Sequence, residues 1–125
     1  IPFIEKRYRV IPKQDSRAIV GLSMGGGHTL TATNANPATF SYIGVLSMGT
    51  RNDITKELTA IKNAGVKLYY VGCGQEDRIC VDGSRNLASL LKNVGIKHIY
   101  NENTGGHTWI NWRIYLNELV PMLFK

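Results

Sequence analysis

The chain has 125 residues, 43% of them hydrophobic, and its 15 lysines and arginines outnumber 9 aspartates and glutamates for a formal charge of +6. That length fits one domain able to bury about two-thirds of its unfolded surface, and no apolar run approaches the roughly 20 residues of a membrane span. Basic residues gather only near the N-terminus (Lys6, Arg7, Arg9, Lys13, Arg17), with no basic helix interleaved with aromatics, so a solvated face is expected and neither nucleic acid nor membrane is expected as a partner.

Ile1 to Arg9 reads as the end of a helix running into a turn at Pro12, and its first residues lack the order of regions in a signal peptide. Asp15 and Ser16 lead into a strand over Arg17 to Leu22. Directly after the apolar run Ala18-Ile19-Val20 comes Gly21-Leu22-Ser23-Met24-Gly25, and from Met24 to about Asn34 the pattern suits a helix, closed by Asn36-Pro37. A Gly-x-Ser-x-Gly between strand and helix is what a nucleophilic serine needs, because an ordinary hydroxyl must stand on a sharp turn near a base and backbone N–H donors. The two flanking glycines are expected to relieve collisions at that turn.

Phe40 to Ser47 reads as a buried strand, and Met48 just beyond it is a candidate pocket residue. Asn52-Asp53 then offers a helix N-cap, Ile54, Leu58 and Ile61 share one helical face, and Gly65 ends the helix. Val66 to Gly72 follows as a strand, then Asp82-Gly83-Ser84 opens a helix with Leu87, Leu90, Leu91 and Val94 inward, Gly95 stops it, and Ile96 to Asn101 is a strand. The similar segments Lys62 to Lys67 and Lys92 to Lys97 are shared helix-to-strand punctuation, not a solenoid repeat. Trp109 to Phe124 is an amphipathic helix carrying Trp112, Leu116, Leu119, Val120 and Leu123, bent or ended by Pro121. Strands alternating with helices imply an α/β fold, a parallel sheet covered on both faces.

A serine hydrolase of this class takes its partners in the order Ser, Asp or Glu, His, each from a loop after a strand. Asp77 lies in Cys73-Gly74-Gln75-Glu76-Asp77, just past a strand, and His107 lies in Gly105-Gly106-His107-Thr108-Trp109 before the last helix. His107 would take the Ser23 proton, Asp77 would fix the imidazole tautomer, and the Met24 backbone N–H would face the oxyanion. Glu76 and Asp53 are alternative acids. His28 is tied too closely to Ser23 in sequence to serve as a free base, and His98 reads as structural.

Gly25-Gly26-Gly27-His28-Thr29 lacks the lysine and spacing of a phosphate-binding loop. Cys73 and Cys80 fit neither a zinc site nor a redox pair, and both one short disulfide and two packed thiols remain open.

With these motifs together, the sequence resembles the esterase family of α/β-hydrolases that includes feruloyl esterases, S-formylglutathione hydrolases and mycolyltransferases. Arg17 to Gly27 looks like the family's elbow, Val71 to Asp77 like its acid loop, and Gly105 to Trp109 like its histidine loop. In particular the chain is similar to the bacterial feruloyl esterase branch attached to xylan degradation. That resemblance implies ester hydrolysis on hemicellulose side chains in a secreted or periplasmic setting, through Ser23, Asp77 and His107, with no cofactor or metal. An acyltransferase or thioesterase of the same family, or a non-catalytic half-domain, is the alternative.

Family members carry several strands before the elbow, so the chain resembles a C-terminal half with about four strands, a single truncated esterase domain over residues 1–125. The upstream part would supply a second oxyanion donor, whose loss typically costs about 10²- to 10³-fold in rate. The strand Arg17 to Leu22 would lie at an open edge, for which self-association or pairing with an N-terminal fragment is expected.

Overall fold

The four apolar runs form strands β1 (Ala18–Leu22), β2 (Tyr42–Leu46), β3 (Leu68–Gly74) and β4 (His98–Asn103) in the computed structural model, which describes residues 1–125. They are parallel and lie side by side in chain order, with Ile19 opposite Ile43, Ile43 opposite Tyr69 and Tyr70 opposite Ile99. Each step to the next strand passes through a helix: α2 (Met24–Ala35), α3 (Thr55–Asn63) and α4 (Val81–Val94). Such crossovers are right-handed, and here every step moves the same way across the sheet, so all three helices fall on one face.

On that face Leu30, Leu58, Ile61, Leu87 and Leu91 pack against Ile43, Val45, Tyr69 and Val71. The opposite face is covered by α5 (Trp109–Leu119), whose Tyr115 and Leu119 pack on Tyr42, Leu46, Leu68 and Tyr70. The close approach of α5 depends on Gly72, where a Cβ would sit 2.7 Å from the Tyr115 ring. β2 and β3 are buried throughout, whereas β1 is only partly covered, at the sheet's edge. Helix α1 (Pro2–Arg7) is joined to the chain before β1 by an ion pair between Glu5 and Arg17.

Several boundaries differ from the sequence expectations, each for a local reason. β3 and β4 begin at Leu68 and His98, two residues later than expected. Gly65 and Gly95 end their helices with φ of +88° and +79°, and the N–H groups of Val66 and Ile96 still reach back to Ile61 O and Leu91 O. The residue after each glycine therefore belongs to the helix cap and not to the strand.

α3 starts at Thr55, where Asp53 Oδ1 accepts bonds from the Thr55 N–H at 2.9 Å and hydroxyl at 2.6 Å. α4 starts at Val81, one residue before Asp82. In α5 the buried residues are Asn111, Tyr115 and Leu119, while Leu116, and Val120 just past the helix end, are exposed. Leu119 is buried and Trp112 and Leu123 pack against the same core as the apolar pattern expects, but weighting apolar residues passed over Asn111 and Tyr115, whose polar atoms find partners inside. Pro121 lies in a single 3₁₀ turn, Val120–Met122, after the α-helix ends.

Candidate active site

The parallel sheet places the carboxyl ends of β1, β3 and β4 on one rim, where open α/β sheets build their sites. Ser23 stands between β1 and α2 at φ 54° and ψ −122°, a conformation costing a non-glycine residue about 1–3 kcal/mol. The turn is held from both sides: the Ser23 N–H donates to Leu46 O on β2 at 2.8 Å, and Ser23 O accepts from the Gly27 N–H at 3.2 Å.

The two glycines of the pentapeptide do different work. A Cβ on Gly21 would lie 2.0 Å from Gly25 O, but one on Gly25 would meet nothing within 4 Å. The second tight position is Gly26, where a Cβ would come 2.7 Å from Met48 Cβ. The expectation that both flanking glycines relieve collisions thus holds for Gly21 and is corrected for Gly25. Gly21→Ala is expected to destabilise the fold by about 3 kcal/mol or more, since the collision is with backbone and no rotamer relieves it. Gly25→Ala should melt at or above the parent temperature, alanine being favoured in a helical turn by up to about 1 kcal/mol. Equal melting temperatures for the two variants would contradict this account of the elbow.

Asp77 follows β3 in a tight turn closed by its own N–H donating to Gly74 O at 3.0 Å. His107 follows β4 in a loop laced to that turn, for the Glu76 N–H donates to Gly105 O at 2.9 Å and Asn111 Nδ2 to Gly106 O at 2.9 Å. The three side chains meet in one line. His107 Nε2 lies 2.9 Å from Ser23 Oγ, and His107 Nδ1 lies 2.8 Å from Asp77 Oδ2. The Asp77 side chain is wholly buried and its Oδ1 accepts from the Cys80 N–H at 3.2 Å, whereas the His107 side chain is 29% exposed to solvent. A carboxylate that accepts from Nδ1–H leaves Nε2 bare, so the ring is set to receive the serine proton.

Met24 opens α2, so its N–H precedes the first bond of the helical ladder, from the Gly27 N–H to Ser23 O. Such first-turn donors are free to face an anion, and the helix dipole favours negative charge there.

Trp112 and Asn111 are the site residues that sequence reasoning treated as packing or passed over. Trp112 meets the His107 ring edge-to-face at 5.1 Å and donates Nε1–H to Ser47 Oγ at 2.9 Å. Ser47 is fully buried, at φ 46° after β2. Asn111 ties the histidine loop to β4 through Asn103 as well as to Gly106 O. The available signal was position: residues four and five after His107 open the face of a helix that folds back over it.

The other candidates stand apart from the line. Glu76 is exposed, and Asp53 is exposed and serves Thr55. His28 is exposed on α2, and His98 Nδ1 is paired with Ile96 O at 2.8 Å. Met48 packs against Gly26 at the start of α2. Cys73 and Cys80 are free, buried thiols, and burial pushes the first up to about 11 and the second up to about 12. Thiols held protonated by burial are poor nucleophiles.

The chain is also similar to known proteins over its whole length. A family model described as "Putative esterase" matches residues 1–123. The chain is 35% identical over 127 residues to an endo-1,4-beta-xylanase/feruloyl esterase of Xylanibacter ruminicola, covering 100% of this chain and 16% of that protein. It is 35% identical over 80 residues to an acetyl esterase of Caldicellulosiruptor saccharolyticus, covering 62% of this chain and 30% of that one. A solved ferulic acid esterase superposes with a TM-score of 0.80 at 25% identity, over 97% of this chain and 56% of its own. The chain therefore spans only a part of each of these proteins.

Proposed function

The chain belongs to this esterase family, and from that premise we propose that it is a serine carboxylesterase of the feruloyl type, with Ser23, His107 and Asp77 as its triad. The observation that carries the reading is the unbroken hydrogen-bonded line from Ser23 Oγ through both nitrogens of His107 to Asp77 Oδ2. Ser23 Oγ attacks the ester carbonyl carbon while its proton passes to His107 Nε2. The carbonyl oxygen becomes an oxyanion facing the Met24 N–H, and its collapse expels the alcohol, which takes the proton back from Nε2. A water activated by the same nitrogen then releases the acid and restores Ser23. Asp77 holds the ring and balances its charge in both halves of the cycle.

Support for an aryl-substituted or otherwise apolar acyl group comes from the rim. Met24, Ile79, Trp109 and Ile110 adjoin the triad residues in sequence and are 71%, 77%, 65% and 71% exposed. The relative described as a xylanase/feruloyl esterase points to acyl groups on plant hemicellulose. A different acceptor reaching the same acyl-enzyme would make the protein an acyltransferase or thioesterase, which product analysis with added alcohol or thiol acceptors separates.

The test needs no guess of substrate. A fluorophosphonate probe is expected to label Ser23 alone, mapped by mass spectrometry, because the phosphorus accepts the activated oxygen as an acyl carbon would. A folded chain that takes up no label, or takes it up elsewhere, would overturn the assignment.

A further inference from the structure

Beside the triad stands a side chain that the esterase chemistry does not use. Cys80 is only 4% exposed, and its sulfur, an Asp77 carboxylate oxygen and a His107 ring nitrogen lie within 4.8 Å of one another. The Asp77 side of the ring is Nδ1, and Nε2 faces Ser23. Sulfur, imidazole nitrogen and carboxylate oxygen are the donors of tetrahedral zinc sites, where bonds of about 2.0–2.3 Å put neighbouring ligand atoms about 3.3–3.8 Å apart. To reach that spacing the Asp77–His107 pair, now 2.8 Å apart, opens by about half an ångström or more and the sulfur closes by about an ångström at most. The donor set also selects among ions: Mg²⁺ and Ca²⁺ want six or more oxygens, whereas thiolate and imidazole suit Zn²⁺ and its softer congener Cd²⁺.

We propose that Asp77, Cys80 and His107 form an inhibitory binding site for a soft divalent cation, Zn²⁺ or Cd²⁺. The ion displaces the proton that burial otherwise holds on the thiol and releases it to solvent, the carboxylate lends a lone pair, and Nδ1 lends its own lone pair once the ring proton has moved to Nε2. No electrons are transferred and the imidazole stays neutral. A proton on Nε2 leaves that nitrogen unable to accept from Ser23, so the ion silences the nucleophile without touching it. The silencing rests on the esterase reading, but the binding itself does not.

Two measurements separate them. Titration of the folded chain with Cd²⁺, followed by the ultraviolet thiolate-to-metal charge-transfer band, is expected to show one ion per chain. Cys80→Ser and Cys80→Ala should lose the band and bind at least tenfold more weakly, while Cys73→Ser, whose thiol lies outside the cluster, should bind like the parent. Fluorophosphonate labelling of Ser23 should fall at least tenfold with one equivalent of Zn²⁺ and return on adding a chelator. A band that survives both Cys80 variants, or bound metal that leaves labelling unchanged, would overturn the proposal. Failure of the metal-free chain to label would count against the esterase reading instead, and the Cd²⁺ titration would still decide whether the site exists.

Discussion

Ser23→Ala and His107→Ala are each expected to lower turnover of an activated aryl ester by about 10⁶-fold, and the double variant is expected to be no slower than either single one. The geometry is the reason. Ser23 Oγ and His107 Nε2 share one hydrogen bond of 2.9 Å, so the hydroxyl is a nucleophile only while that nitrogen can take its proton. Removing either partner removes the same step, and a second removal has nothing left to take away. Residual activity in all three variants should be similar, supplied by binding and by the donor at the start of α2. Circular dichroism and melting curves should match the parent for Ser23→Ala, since the Ser23 backbone, not its Oγ, holds the elbow to Leu46 O and the Gly27 N–H. Losses that multiply, or a Ser23→Ala chain that keeps its rate, would show that the two residues do not act as a unit.

How much of this site could be read before the fold was known differs from residue to residue. Ser23, Asp77 and His107 were all legible, because each follows an apolar run and sits in a loop rich in glycine or turn-forming residues, so local punctuation marked the strand ends where chemistry collects. That the sheet is parallel followed from the alternation of strand and helix, but the order β1-β2-β3-β4 did not, because alternating units can also be wound in other orders. What escaped was whatever depends on one element lying over another. Asn111 and Tyr115 are polar by composition, yet they form the inner stripe of α5 because Asn103, Gly106 O and the glycine at position 72 wait beneath them. The pentapeptide singles out Gly25, yet only the position of Met48 makes its neighbour Gly26 the tight one. The late starts of β3 and β4 have a local cause, but it lies in the cap bonds after Gly65 and Gly95, which apolar periodicity does not register.

Asp77→Asn is expected to lower turnover by about 10⁴-fold, less than the loss of Ser23 or His107 but with the fold and the line of side chains intact. Asparagine fills the same volume, and its carbonyl oxygen can still accept from the Cys80 N–H, which meets Asp77 Oδ1 at 3.2 Å. Its amide NH₂ would then face His107 Nδ1, where Asp77 Oδ2 now sits at 2.8 Å. Nδ1 must become the acceptor in that pair, which moves the ring proton to Nε2 and turns the wrong face of the base toward Ser23. The charge is lost as well, so the imidazolium formed during attack has no buried counter-ion beside it. Fluorophosphonate labelling should still map to Ser23 but become slow by a comparable factor, which distinguishes a misdirected base from a missing nucleophile. Glu76→Gln and Asp53→Asn should both label and turn over like the parent, because neither carboxylate reaches the histidine. If either of those variants fell while Asp77→Asn kept its rate, the acid of the triad would be misassigned, and the hydrogen bond between Asp77 and His107 would be structural alone.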